Sequence, residues 1–210
     1  LPGPSAMAAA YLRLLRIPVF ALSMVSSVCS FSAQMMAYVA LPFYFQDVIG
    51  RSQGETGLLM TPWPLAIAVI APISGRLADR YDPGLLAAAG LGVLAVGLGL
   101  LAIMPADPTL ADISWRMALC GLGFGLFQSP NNKVLITSAP RERSGGASGI
   151  QATARLLGQT LGAALVGLIF GLVPDHGRGT VIAVGLAAGA AALAGVASGL
   201  RRFTAAPGQS

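Results

Sequence analysis

Six long apolar runs, joined by short polar connections, constrain this 210-residue chain more than any other feature of its sequence. They cover residues 17–45, 54–77, 84–104, 115–138, 146–172 and 179–200. A helix needs about 20 mostly apolar residues to cross a bilayer. Each run is continuous instead of alternating every second residue, which favours helices over the strands of a membrane barrel. The sequence therefore predicts an all-α polytopic membrane protein with six transmembrane helices.

The composition leaves no room for a separate soluble domain. Only 10% of the residues are charged, whereas soluble domains carry about 25%. We expect a cytoplasmic N-terminal segment or linker at residues 1–16, the six-helix bundle at 17–200 and a cytoplasmic tail at 201–210. The net charge of +5 does not indicate nucleic-acid binding, because the basic residues lie at the ends of apolar runs rather than on one polar face.

The basic residues also predict the orientation, since cytoplasmic loops of membrane proteins carry an excess of Lys and Arg. With the N-terminus inside, the inner segments hold eight arginines: Arg13, Arg16, Arg76, Arg80, Arg141, Arg143, Arg201 and Arg202. The outer segments hold only three: Arg51, Arg116 and Arg178. Both termini are therefore expected in the cytoplasm.

Polar residues follow one face of the first, fourth and fifth runs. They are Ser23, Ser27, Ser30, Gln34 and Tyr38, then Gln128 and Asn132, then Ser148, Gln151, Arg155 and Gln159. Polar groups inside a bilayer normally face a bundle interior or water, so these helices should line a cavity and the apolar third and sixth should face lipid. The pattern recurs after three helices. Because three is odd, the second triplet must be inverted, which is typical of secondary transporters.

Eight polar or aromatic residues are candidates for substrate contact: Gln34, Tyr38, Trp63, Gln128, Asn131, Asn132, Arg155 and Gln159. Amide, phenol and indole groups can bind varied amphipathic compounds. The alternative is that they form interhelical hydrogen bonds and packing. Arg155 either faces the cavity or extends to the inner headgroups, as Lys133 is expected to do. Pro130 lacks a donor, so it frees a backbone carbonyl and can bend its helix.

The short loop after the second run carries Gly75, Leu77, Asp79 and Arg80. Asp79 either caps the following helix or accepts hydrogen bonds from the N-terminus of a neighbouring helix, as a conformational latch. Arg76 and Arg80 can pair with Asp79 or bind lipid phosphates.

This loop, Gly75-Arg-Leu-Ala-Asp79-Arg80, resembles the signature of the major facilitator superfamily, Gly-x-Leu-x-Asp-Arg followed by Gly and a basic pair. Here Tyr81-Asp82-Pro83-Gly84 replaces that tail, as in the weaker copy found in C-terminal halves. A second stretch, Gly121 to Gly162, resembles the drug:proton antiporters of the fourteen-helix branch. The resemblance covers most of residues 14–200.

The resemblance implies the C-terminal bundle of a secondary transporter that exports drugs or amphipathic small molecules in exchange for protons by alternating access. It implies a bacterial inner membrane and an N-terminal half of six or eight helices. No Asp or Glu lies deep inside the six runs. Proton coupling usually needs a carboxylate within the membrane, so we expect that residue in sequence before Leu1.

Other readings stay open. The chain can belong to an exporter of another substrate such as a metabolite, to a non-transporting scaffold or partner-binding subunit, or to a self-contained six-helix protein that works as a dimer. The sequence holds one histidine, His176, and no nucleophile–base set or phosphate-binding loop. We therefore expect neither enzyme activity nor a cofactor or metal.

Overall fold

A computed structural model describes residues 18–105, 107–137 and 144–204. For residues 137, 144–147 and 201–204 it describes the backbone but not the side chains. These residues form seven α-helices: α1 Pro18–Phe43, α2 Gln53–Met60, α3 Pro62–Leu77, α4 Pro83–Ala102, α5 Leu110–Thr137, α6 Ser144–Leu172 and α7 His176–Thr204. A π-helical turn, Tyr44–Val48, extends α1. Six segments are long and apolar enough to cross a bilayer: Pro18–Val48, Gln53–Leu77, Pro83–Ala102, Leu110–Ile136, Ser148–Leu172 and His176–Leu200. The prediction of an all-helical, six-span chain is confirmed.

Polar caps set where several helices begin. Ser52 and Glu55 cap α2 reciprocally, with the Ser52 amide donating to Glu55 Oε2 at 2.9 Å. Thr109 and Asp112 form a similar pair, with the Asp112 amide donating to Thr109 Oγ1 at 3.1 Å. Such caps satisfy backbone amides that have no partner within the helix. The second cap explains why α5 begins at Leu110, ahead of the apolar run predicted from residue 115.

The loop carrying the family signature is a tight turn that leads into α4. Asp82 caps α4, because its Oδ1 accepts from the Leu85 amide at 2.8 Å and Pro83 stands at the first helical position. Asp82, and not Asp79, therefore supplies the cap that the sequence left open.

The second span is divided by prolines. Pro62 has no amide hydrogen to donate to the Leu58 carbonyl, and the Thr61 amide occupies that carbonyl instead, at 3.2 Å. The span predicted as one helix over 54–77 is therefore two helices, α2 and α3, joined at Thr61.

The six spans pack in a symmetric order. α1 packs against α6 and α7, α5 packs against α3 and α4, and α4 packs against α7. Exchanging α1 with α5, α3 with α6 and α4 with α7 leaves this pattern unchanged. The chain is therefore two three-helix units, and an odd number of spans in each makes them inverted relative to one another, as predicted.

The apolar helices α4 and α7 were expected to face lipid, but each is partly buried in the bundle. One face of each is in the core, with Leu91 and Leu94 of α4 and Ala187 and Ala191 of α7 fully buried. Their opposite faces are exposed. The least buried spans are those of α3 and α6, which have few neighbours because they stand at the two ends of the packing order.

Candidate functional site

A cleft of about 370 Å³ opens between α1, α5 and α6. All three helices whose polar faces were singled out from the sequence contribute to it. Its lining consists of Phe31 from α1, Gln128 and Asn132 from α5, and Ser148, Gln151, Ala152, Arg155 and Leu156 from α6. A cavity of this size is within the range of small-molecule sites, about 300–1,000 Å³.

Two glycines bring α6 close enough to α1 to form one corner of the cleft. A Cβ atom on Gly158 would lie 2.6 Å from the Val28 carbonyl oxygen, and one on Gly162 would lie 2.5 Å from that of Ser32. The Ser32 hydroxyl donates to the Gly158 carbonyl at 2.8 Å. Small residues allow such backbone approach in membrane helices, and here the approach places Arg155 beside Phe31.

Arg155 is exposed in the cleft, and its guanidinium carbon lies 5.9 Å from the centroid of the Phe31 ring. That ring is itself held edge-on by Phe124, at 5.4 Å between centroids. Ion pairs among the described side chains join Arg51 to Glu55, Lys133 to Asp79 and His176 to Asp47, and none includes Arg155. Arg155 thus brings an unneutralised charge to an aromatic wall.

The neighbouring residues Asn131 and Asn132 lie on different surfaces of α5. Asn131 is 1% exposed, and its amide donates to Ser27 Oγ at 2.8 Å. Asn132 lines the cleft, where its Oδ1 accepts from the Gln151 amide. Consecutive helical residues point about 100° apart, which separates this pair. Asn131 therefore ties α5 to α1, while Asn132 faces the cleft.

Pro130 frees a carbonyl, as the sequence indicates, and a neighbouring helix binds it. The Leu126 carbonyl would normally accept from the amide of residue 130. Instead the Ser74 hydroxyl of α3 donates to it at 2.9 Å. Ser74 is fully buried, so this bond fixes α5 against α3 at the level of the cleft.

The remaining candidates lie apart from the cleft lining. Tyr38 packs edge-on against Trp63 with 5.1 Å between ring centroids. Trp63 is fully buried, and its indole nitrogen has no hydrogen-bond partner among the described residues. Gln34 is half-buried one turn before Tyr38, and Gln159 is half-buried one turn beyond Arg155. Of the eight predicted contact residues, the structure brings Gln128, Asn132 and Arg155 together.

Phe31 was missed because the search followed only polar side chains. It belongs to the same face of α1, since Ser27, Phe31 and Gln34 follow at intervals of four and three. Helical periodicity alone would have placed it there. Ser148 and Gln151 were recognised as polar residues of the fifth run but not as contact candidates.

Lys133 connects α5 to the signature loop. Its ammonium donates to Asp79 Oδ1 at 2.7 Å and to the Ala78 carbonyl at 2.9 Å. Asp79 therefore accepts a hydrogen bond from a side chain of a neighbouring helix, and Lys133 extends to the loop that the sequence places at the cytoplasmic surface. Gly75 and Leu77 belong to the end of α3, and Arg80 is exposed in the turn.

A shallow depression of about 570 Å³ lies at this loop, lined by Ile73, Arg76, Leu77, Asp79, Arg80 and Tyr81. It is larger than the cleft between α1, α5 and α6. It lies at one end of α3, however, and none of the predicted contact residues lines it. Within the described ranges, no group of three or more His, Cys, Asp or Glu residues could hold a metal ion.

Known proteins resemble the chain over most of its length. An uncharacterized transporter, YebQ, of Escherichia coli is 59% identical over 90% of this chain and 41% of its own length. The riboflavin transporter RibZ of Clostridioides difficile is 30% identical over 72% of this chain and 33% of its own. The multidrug resistance protein Stp of Mycobacterium tuberculosis is 33% identical over 75% of this chain and 29% of its own. The chain thus spans less than half the length of these relatives.

The family comparison matches the larger part of the chain. The family model of the Major Facilitator Superfamily matches residues 2–163. This range includes α1 to α5, the signature loop and the N-terminal part of α6, which lines the cleft. The six spans and the inverted triplets agree with that match. The chain belongs to the Major Facilitator Superfamily.

Proposed function

We propose that this bundle forms part of a secondary active transporter that exports drugs or other amphipathic small molecules in exchange for protons. The observation that carries the proposal is the cleft, where Gln128, Asn132 and Arg155 converge beside Phe31. Polar and charged groups within a membrane span are energetically unfavourable and usually mark a transport pathway. The similarity to a multidrug resistance protein supports a drug-like substrate.

The bundle works as one wall of a longer transporter. The chain covers 29–41% of its relatives' lengths, and α3 and α6 are the least buried spans. These two helices are therefore suited to face an N-terminal half of six or eight helices. None of the described cleft residues is acidic, so the proton-binding carboxylate is assigned to that half. The transporter spans a bacterial inner membrane with both termini of this bundle in the cytoplasm.

Gly75, Leu77, Asp79 and Arg80 act as a conformational loop. The bond from Lys133 to Asp79 joins the end of α3 to α5. Alternating access requires helices of one bundle to change position, and this exposed ion pair can form and break at small energetic cost. It holds α3 and α5 together in the state described.

Transport of a metabolite is the second candidate function. It is favoured by the similarity to a riboflavin transporter, whose 30% identity is close to the 33% of the multidrug resistance protein. A non-transporting scaffold is less favoured, because these relatives are named as transporters or as a resistance protein and the cleft offers polar groups to a small ligand.

The test is accumulation of small molecules in a bacterial strain deprived of its own efflux pumps. Cells producing the full-length transporter receive cationic, neutral and anionic amphipathic antibiotics, with and without a protonophore. We expect lower accumulation of at least one class, abolished by the protonophore. If no antibiotic accumulates less while riboflavin or another metabolite does, the metabolite candidate replaces drug export. If accumulation of every compound equals that of cells without the transporter, export is contradicted.

A further inference from the structure

We propose that the cleft selects organic anions that carry an aromatic ring next to a carboxylate or an equivalent anionic group. This inference rests on the proposed function and names its substrate class. Three features of the cleft carry it: the guanidinium of Arg155, the amide donor of Asn132 and the apolar wall of Leu156 and Phe31.

Among the described residues, the only charge that lines the cleft is positive. Arg155 has no ion-pair partner among the described side chains, and no acidic residue occurs in the described lining. A guanidinium is always charged and presents five N–H donors in a planar fork that matches a carboxylate. An isolated charge in a membrane span is energetically unfavourable without a counter-ion, so a bound anion would supply what the site lacks.

The amides add a donor beside that charge. Gln151 donates its amide to Asn132 Oδ1, and this bond orients the Asn132 side chain. The Asn132 nitrogen can only donate, and it donates to no other described group in the cleft. A carboxylate can therefore accept from Arg155 and Asn132 together. A cationic ligand would meet the like charge of Arg155, with amide and hydroxyl oxygens but no carboxylate among the described lining residues to bind it.

The apolar part of the cleft lining determines which group the ligand carries beside its anionic group. Phe31 borders the cleft but is only 4% exposed, and the edge-on contact with Phe124 keeps its ring in place. Leu156 of the same lining is 63% exposed. An aromatic ligand can pack on Leu156 and against the edge of Phe31 while its anionic group reaches Arg155. The cleft volume of about 370 Å³ admits a fused two-ring compound.

The experiment uses the purified full-length transporter in lipid nanodiscs and three coumarin fluorophores that differ only in their terminal group: a carboxylate, a carboxamide and a trimethylammonium. Fluorescence anisotropy measures the dissociation constant of each. We expect the carboxylate to bind at least about tenfold more tightly than the carboxamide, the effect of one charge-assisted hydrogen bond. The trimethylammonium compound should bind most weakly.

Two variants and a control locate the preference. Arg155→Gln should bring the carboxylate-to-carboxamide ratio close to one while leaving carboxamide binding within about threefold, since the aromatic wall is intact. Arg155→Lys should keep part of the preference, because it retains the charge but loses the planar fork. Arg178→Gln, an exposed arginine at the start of α7, should leave the ratio unchanged. Thermal unfolding of each variant shows whether it is folded.

The outcomes separate this inference from the proposed export. Equal binding of the three probes, tightest binding of the cation, no binding of the carboxylate, or an unchanged ratio in Arg155→Gln would overturn the anion site. If the transporter exports antibiotics without a carboxylate preference, export stands and the anion site is wrong. If the preference depends on Arg155 but no compound is exported, the anion site stands and the proposed function is wrong.

Discussion

Asn131 and Asn132 follow one another in the chain, yet one holds two helices together and the other faces the cleft. The amide of Asn131 donates to Ser27, whose hydroxyl donates in turn to the Ser23 carbonyl at 3.0 Å. Ser27 is fully buried, so the loss of Asn131 leaves its hydroxyl oxygen without that donor in the core. Asn132 also bonds across helices, to Gln151 of α6, but that bond lies in the cleft and is only partly buried.

Exchanging each asparagine for alanine in the full-length transporter should therefore give opposite results. We expect Asn131→Ala to lower the free energy of unfolding by about 0.6–1.7 kcal/mol, as measured for hydrogen bonds between membrane helices. Asn132→Ala should lower stability less, because its bond to Gln151 is only partly buried, and it should weaken transport. Thermal unfolding in detergent and substrate efflux report the two effects. Loss of stability in Asn132→Ala alone would contradict the assignment.

The sequence could place residues on a helical face but could not pair them across helices. Periodicity placed Gln128 and Asn132 on one polar face of α5 and Arg155 on a polar face of α6, because 3.6 residues per turn relates positions within a helix. It could not pair Lys133 with Asp79 or Ser74 with Leu126, since those bonds depend on how separate helices are positioned. The burial of Trp63 was unpredictable for the same reason.

At the scale of the helices, α5 depends on α3 to satisfy the carbonyl that Pro130 leaves free. Ser74→Ala should lower the free energy of unfolding by about 1 kcal/mol, because the partly buried Leu126 carbonyl loses the hydroxyl that donates to it. In a Pro130→Ala background the amide of residue 130 can bond that carbonyl, and the same serine change should cost less than half as much. A double-mutant cycle by thermal unfolding measures the difference. An equal loss of unfolding free energy on Ser74→Ala in both backgrounds would show that the Ser74 bond does not compensate for the missing amide hydrogen of Pro130.

Contact between α1 and α6 depends on backbone approach at Gly158. Gly158→Ala should destabilise the transporter by about 1–3 kcal/mol, since the added methyl group meets the Val28 carbonyl oxygen at 2.6 Å. Gly167→Ala on the same helix is the matched control, because a Cβ atom there has no neighbour within 4 Å in the described residues. Thermal unfolding and yield of folded protein compare them. Equal stability of the two variants would contradict the tight crossing.

The whole bundle shows which parts of the fold were accessible from the sequence. Run length predicted six spans, and the recurrence of polar helices predicted two inverted triplets. The division of the second span at Thr61 and the buried faces of α4 and α7 were not predicted. Ala, Gly and Leu suit both lipid and a helix interface, so composition cannot distinguish the two environments.

The Lys133–Asp79 pair should influence the balance between conformations more than stability. Its side chains are 40% and 71% exposed, and exposed ion pairs contribute about 0.2–1 kcal/mol. We expect Lys133→Met and Asp79→Asn each to change the accessibility of cysteines introduced at the two ends of the transporter, with little effect on unfolding. The double variant should equal Lys133→Met alone, because loss of the Lys133 ammonium already removes the bond to Asp79. Additive effects would show that the residues act separately.

The account depends most on Arg155, and efflux by the full-length transporter carrying Arg155→Ala tests it directly. The measurement is accumulation of an exported compound at matched expression, with Arg178→Ala as the control for loss of an exposed arginine. The cleft account predicts that Arg155→Ala abolishes efflux while Arg178→Ala retains it. Wild-type efflux by Arg155→Ala would contradict the account and leave Arg155 as a residue that only extends towards the lipid headgroups.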